Sequence, residues 1–279
     1  MISPFLIGVG LRPTHFPYLE KQPEIESNFF EAISENYMNT EGRPLEMLLQ
    51  IREFYPIALH GVSMSIGSGQ KVSLTYLKKL KSLIDKVDPI LVSDHLCWSQ
   101  SSSGNSHDLL PLPLNSESLR QVKENVDQVQ NFIGRPILLE NISYYLRFKE
   151  SNIEEADFIN DLCESTGCKV LLDLNNIYVN SVNYGFKAES YLEQIKIHNI
   201  KQIHLAGPSQ EDGYLFDTHS TRVPDQVWKL YDEILRRGLN VPTVVEWDQD
   251  IPDYLTLENE IKIAKRKMKA VEVINEAYL

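Results

Sequence analysis

The chain has 279 residues, 42% of them hydrophobic and 24% charged, an ordinary globular composition that excludes a fibrous or disordered class. Its 27 basic and 39 acidic side chains leave a formal net charge of −12, which argues against a nucleic-acid backbone as a general partner. A chain of this length holds one large domain or two small ones, and a single α/β barrel uses about 250 residues.

Met1-Ile2-Ser3-Pro4 carries no basic n-region, and no apolar run approaches the roughly 18 residues a membrane helix needs. The expectation is a cytoplasmic protein without a membrane partner. Phe5–Gly10 reads as a short apolar strand, and after a Pro-rich connection Phe29–Ser34 reads as a second, leading into Glu35-Asn36-Tyr37. Pro44–Tyr55 has near-helical apolar spacing, and Ile57-Ala58-Leu59 then runs straight into His60-Gly61. Leu74–Val87 is amphipathic, and Ile90-Leu91-Val92 ends in Ser93-Asp94-His95. Ser99–Pro113 reads as a polar, mobile excursion before a helix over Asn115–Phe132 that Gly134 stops.

Ile137-Leu138-Leu139 ends in Glu140-Asn141. Ser151-Asn152-Ile153-Glu154 has the form of a capping box, opening a helix that closes near Gly167. Val170-Leu171-Leu172 is a buried strand that delivers Asp173, Asn175 and Asn176 and then breaks into a loop. Ala188–His198 reads as a helix and Ile200–Leu205 as a strand with His204 near its end. Pro224 opens a helix ending at Gly238, Thr243-Val244-Val245 ends in Glu246-Trp247-Asp248, and an outer helix follows from Leu257.

Eight strands, mostly separated by single helices, predict a (β/α)8 TIM barrel in a single domain over residues 1–279. No linker or change of composition marks a second domain.

His60, His95, Glu140, Asp173, His204 and Glu246 each stand at or near the carboxyl end of an apolar triplet. In a parallel barrel those ends converge on one mouth, and Asp217-Thr218-His219 lies in a loop able to reach it. A lone histidine there is ordinarily a hydrogen-bonded core residue, and an acid before Asn is ordinarily a cap or turn residue. Four histidines with four acids at one rim are a different matter. Glu140, Asp173, Asp217 and Glu246 would place four negative charges in a partly dry cavity, at several kcal/mol each if left uncompensated. Arg12 is one nearby base and cannot neutralise four acids. Two or three divalent cations can, with neutral imidazoles beside them, and such mixed donors suit Fe, Mn or Zn. Cys97, Cys163 and Cys168 form no CxxC pair, so neither a disulfide framework nor a thiolate zinc site is expected. His15, His107 and His198 fall outside the pattern and read as surface or structural residues.

The ordered motifs Gly8–Arg12, Ser34–Tyr37, Leu59–Ser63, Ser93–Trp98, Leu139–Asn141, Leu172–Tyr178, His204–Gly207, Asp217–His219 and Val245–Asp248 resemble the multinuclear non-heme iron-dependent oxidative enzymes. That family includes the methanobactin oxazolone-forming enzyme and the iron enzyme of thiaglutamate biosynthesis. The resemblance spans about residues 8–250 and implies a xylose-isomerase-like barrel with two or three irons and O2 as co-substrate. By that analogy Glu140 bridges two metals. Asp173, His204 and Glu246 hold the first, His60 and His95 the second, and Asn175, Asp217 and His219 a third. One departure is Pro208, where the family often has another histidine after His204-Leu-Ala-Gly.

The resemblance further implies oxidative modification of a residue, usually cysteine, in a ribosomally made precursor peptide. Arg12, Asn36, Asn141, Ser143, Tyr144 and Tyr178 are candidates for contacting that peptide, and each is equally readable as a packing residue. Because the barrel uses almost the whole chain, a separate small partner protein is expected to recruit the leader. Two competing readings are a metal-dependent isomerase or hydrolase (sugar isomerase-like or endonuclease-like) on the same barrel, and a metal-binding subunit without turnover.

Overall fold

The computed structural model describes residues 6–101 and 104–277. Its barrel strands are β1 (Ile7–Gly10), β2 (Phe30–Ile33), β3 (Ile57–Gly61), β4 (Leu91–His95), β5 (Leu138–Glu140), β6 (Lys169–Asp173), β7 (Ile200–Leu205) and β8 (Thr243–Val245). They close in the order β1-β8-β7-β6-β5-β4-β3-β2, every recorded barrel pair being parallel. This is a closed eight-stranded TIM barrel. Near-complete burial of the strands explains their continuous apolar runs, since a wet face would have required alternation.

By proximity the chain divides into two compact units, Met1–Glu31 with Asp173–Leu192 and Gln202–Leu279, and Ala32–Leu172 with Glu193–Lys201. In the second unit, Asn115 caps the helix Ser116–Ile133 by accepting from the amides of Glu117 and Ser118 at 3.1 and 3.0 Å. Gly134, at φ 77°, ends that helix in the left-handed conformation that glycine tolerates. In the first unit, Asp225–Arg236 buries Val227, Trp228, Leu230, Tyr231, Ile234 and Leu235 along one face.

Several sequence expectations change. Phe5 lies outside the described residues, and the first strand starts at Ile7. The Pro-rich connection contains the 3-10 turn Pro13–His15 and the short helix Phe16–Leu19. Glu35–Met38 is likewise a single helical turn. The excursion after His95 is an antiparallel hairpin, Trp98–Ser101 with Gly104–Leu110. The helix expected over Ala188–His198 ends at Gln194, before a 3-10 turn over Ile197–Asn199. Ser151–Glu154 is not a capping box: the helix begins at Glu155 without a side-chain cap, and Ser151 Oγ accepts from Leu114 N at 3.0 Å. Most consequential, Asp173 is followed by a helix, Leu174–Tyr184, and not by a loop. His15 is buried with Nε2 2.9 Å from the Pro252 carbonyl, and His198 is exposed, both consistent with structural or surface roles. His107 lies in the hairpin.

Candidate metal centre

Strand ends place the first donor group. His60 Nε2 and His95 Nε2 stand 3.2 and 3.4 Å from the same oxygen of Glu140, and all three side chains are buried. The other nitrogen of each ring is already engaged. His95 Nδ1 lies 3.0 Å from the Gly61 carbonyl, which can only accept, so the proton is on Nδ1. His60 Nδ1 lies 2.8 Å from Ser93 Oγ, and that hydroxyl donates to the Leu59 carbonyl. In both rings a lone pair at Nε2 therefore faces a carboxylate oxygen. Acceptor against acceptor is an arrangement that a cation resolves, and locked tautomers of this kind are the usual support of metal-binding histidines.

The ring of His95 is held by its backbone as well. Asp94 accepts from the amides of His95 at 2.8 Å and Met64 at 3.2 Å. Glu35 accepts from Val62 N, Ser63 N and the Tyr76 hydroxyl. Burial, reinforced by Glu35, lifts the Asp94 carboxyl to about 7. Gly61 fits here because a Cβ would come within 2.2 Å of Asp94 Oδ2.

The second donor group comes from β6, β7 and β8. His204 Nδ1 is 3.0 Å from Glu246 Oε2 and 3.9 Å from Asp173 Oδ2. Asp173 Oδ1 accepts from Asn176 N at 2.6 Å and caps the following helix, which leaves Oδ2 facing the imidazoles. A third cluster shares Glu246. His219 Nδ1 is 3.2 Å from both Glu246 Oε2 and Asp248 Oδ2, and its Nε2 is 2.6 Å from Asp217 Oδ1. Asn175 Nδ2 donates to that same Asp217 oxygen at 2.8 Å, and Asn175 Oδ1 is buried without a recorded partner. His219 has φ 45°, a left-handed backbone unusual outside glycine, and its carbonyl accepts from Asp248 N. Burial raises the Glu246 pKa, but His204 and His219 outweigh it and hold that carboxyl well below its ordinary range.

The donor chemistry fits divalent metal: imidazoles, those of His60 and His95 with fixed tautomers, beside carboxylate oxygens, all within 4.8 Å of one another inside each cluster. Seven of the nine expected metal residues, His60, His95, Glu140, Asp173, His204, His219 and Glu246, lie in these groups. Asn175 and Asp217 join through their mutual hydrogen bond and His219.

Expected peptide contacts are more scattered. Arg12 is buried and engaged by Asp248 and Glu246, so its guanidinium serves the carboxylates around His219. Burial works against its charge, but Asp248 and Glu246 raise its pKa overall. Asn36 is exposed, Asn141 and Ser143 are buried, and Tyr144 and Tyr178 are partly exposed. The Tyr144 hydroxyl accepts from Arg147 at 2.9 Å. Cys97 is buried beside Asp94 and Glu140, with its thiol pKa pushed well up, first by that burial. That agrees with a structural thiol. Sequence reasoning gave no role to Glu31, Asp94, Gln202 or Asp248. Asp248 alternates with Glu246 two residues earlier, a signal available in the sequence; Glu31 sits inside an apolar strand with no such mark.

The sequence profile described as "RiPP precursor modification enzyme MbnB/TglH/ChrH" matches residues 6–269. The chain belongs to this family. A UPF0276 protein of Caulobacter vibrioides is 46% identical over 264 residues, covering 94% of each chain. Another, from Acaryochloris marina, is 45% identical over 258 residues and 92% of each chain. Solved structures share the fold at much lower identity. An L-ribulose 3-epimerase aligns with TM-score 0.64 at 11% identity, over 98% of this chain and 97% of that one. Endonuclease IV from Thermus thermophilus aligns at 0.61 and 13%, over 95% and 99%. As a member of the MbnB/TglH/ChrH family the chain falls among enzymes that modify ribosomally made precursor peptides.

Proposed function

We propose that this MbnB/TglH/ChrH family member is a multinuclear non-heme iron enzyme that uses O2 to modify a residue, most readily cysteine, in a precursor peptide. The supporting observation is the tautomer-locked pair His60 and His95 facing Glu140, matched by His204 facing Asp173 and Glu246. Glu140 would serve as the carboxylate of the cluster it forms with His60 and His95. Asn175, Asp217 and His219 would hold a third ion. When bound, Fe(II) with open positions supplies one-electron chemistry with O2 and a Lewis-acidic seat for a thiolate. The chain's own residues hold the nitrogen lone pairs in place and spread the negative charge. Asn141 and Ser143, buried at the end of β5, and the more exposed Asn36, Tyr144 and Tyr178 would orient the peptide backbone. A separate small partner protein would deliver the leader segment.

A metal-dependent isomerase or hydrolase is the second reading. It draws on the structural neighbours, an L-ribulose 3-epimerase and endonuclease IV, whose identity of 11% and 13% carries the fold alone. Metal identity and oxygen dependence separate the two. The protein is loaded anaerobically with Fe(II) and mixed with its co-encoded cysteine-containing peptide. A peptide mass change that requires O2 supports the first reading. Turnover of a sugar or phosphodiester with Mg(II), Mn(II) or Zn(II) under nitrogen, with no peptide change in air, replaces it.

A further inference from the structure

His204 is oriented oppositely to His60 and His95. Those two present Nε2 to the carboxylate and commit Nδ1 to a hydroxyl or a carbonyl. His204 presents Nδ1 to Glu246 and Asp173, and its Nε2 lies 2.8 Å from Glu31 Oε1. Glu31 is buried on β2, and its other oxygen accepts from the Gln202 amide. Gln202 is fully buried on β7, two residues before His204 and therefore on the same side of the strand. Its Nε2 also lies 3.5 Å from His204 Nε2.

We infer that Glu31, braced by Gln202, is a positioning residue that fixes Nδ1 of His204 as the metal-facing nitrogen. The inference rests on the metal-binding reading above. Glu31 Oε1, accepting from the ring at 2.8 Å, keeps the proton on Nε2 and the lone pair on Nδ1. Glu31 is not placed as a ligand, because its oxygens meet Nε2 and Gln202 on the far side of the ring from Asp173 and Glu246. A carboxylate draws on the N–H more strongly than a hydroxyl or a peptide carbonyl does. His204 is therefore the most electron-rich of the three imidazoles and the anchor of its cluster. The Gln202 amide, by donating to Glu31, stops that carboxylate from turning away.

The test uses Zn(II) alone, with neither peptide nor O2. Long-range proton–nitrogen correlations on the nitrogen-labelled full chain report which ring nitrogen carries the proton in each histidine. In the Zn(II)-loaded wild type, His204 should be protonated at Nε2, and His60 and His95 at Nδ1. Glu31→Gln keeps the shape, removes the charge and adds an amide able to donate to Nε2. It should weaken Zn(II) binding about 10–100-fold, the usual effect of losing such a support, and give His204 an Nδ1–H signal in the metal-free protein. Gln202→Leu should move both readouts in the same direction by less. A merely structural role would lower thermal stability and leave the tautomer untouched. A wild-type His204 protonated at Nδ1, or Glu31→Gln binding Zn(II) with wild-type affinity, overturns the inference. A wild type that takes up no divalent ion overturns both it and the metal reading.

Discussion

Asp173 divides two tasks between its two oxygens, one capping a helix and the other facing His204 and His219. Substitutions can therefore separate stability from metal binding. Asn is as good an N-cap as Asp, so Asp173→Asn should leave the metal-free melting temperature at or above wild type while emptying at least one metal position. Asp173→Ala should lose the metal and about 0.5–2 kcal/mol of stability as well. Thermal unfolding in chelator, together with elemental analysis, reads both. Unchanged metal content in both variants would remove Asp173 from the ligands. His204→Ala should likewise deplete metal from a barrel that still folds.

His219 supplies a pH signature. Burial opposes its charge, yet Asp217, Asp248 and Glu246 raise its pKa well above the ordinary histidine value. In the metal-free protein that imidazolium contributes stability which is full below about pH 6.5 and is lost as pH climbs through the raised value. A cation competing for the same nitrogens reverses the trend, because binding requires the proton to leave. The stability difference between wild type and His219→Gln should therefore shrink with rising pH in chelator and grow with rising pH in metal. The same sign in both series would count against ligation by His219.

At the scale of elements, six of the eight barrel strands are legible because an apolar run closing on His, Asp or Glu is a local pattern. The helix Leu174–Tyr184 is not, since it carries four asparagines and three β-branched residues, all weak helix formers. The Asp173 cap, Gly185 at φ 71° and burial of seven of its 11 residues override those preferences. Glu31 was hidden for a related reason: its partners Gln202 and His204 lie more than 170 residues away, and no spacing within β2 marks them. Gly61 shows how one element serves another. In Gly61→Ala the new Cβ would meet Asp94 Oδ2 at 2.2 Å, and Asp94 holds the amides of His95 and Met64. This substitution should deplete the metal held by His60, His95 and Glu140 more than that held by His204. Metal stoichiometry measured in Gly61→Ala and in His204→Ala tests that; retention of full metal by Gly61→Ala would show that the ends of β3 and β4 simply relax.

For the whole molecule, charge decides between chemistries that the fold leaves open. The TIM barrel is common to the sugar epimerases and to endonuclease IV, so architecture alone favours neither a peptide, a sugar nor DNA. Among the described residues no helix is long and apolar enough to cross a membrane. A net charge of −12 would repel a polyphosphate at every approach, and releasing condensed counterions requires basic groups that this chain has in deficit. A labelled duplex carrying an abasic site should therefore show no anisotropy change with the Zn(II)-loaded protein, even at low salt, where electrostatic attraction is least screened. Binding that weakens steeply as salt is added would mean a basic surface operates despite the overall charge, and would restore the hydrolytic reading. The peptide reading makes the opposite demand. The precursor, offered with its co-encoded partner protein, should co-elute with the enzyme on size exclusion, whereas full turnover of the precursor without any partner would show that the barrel grips the leader itself.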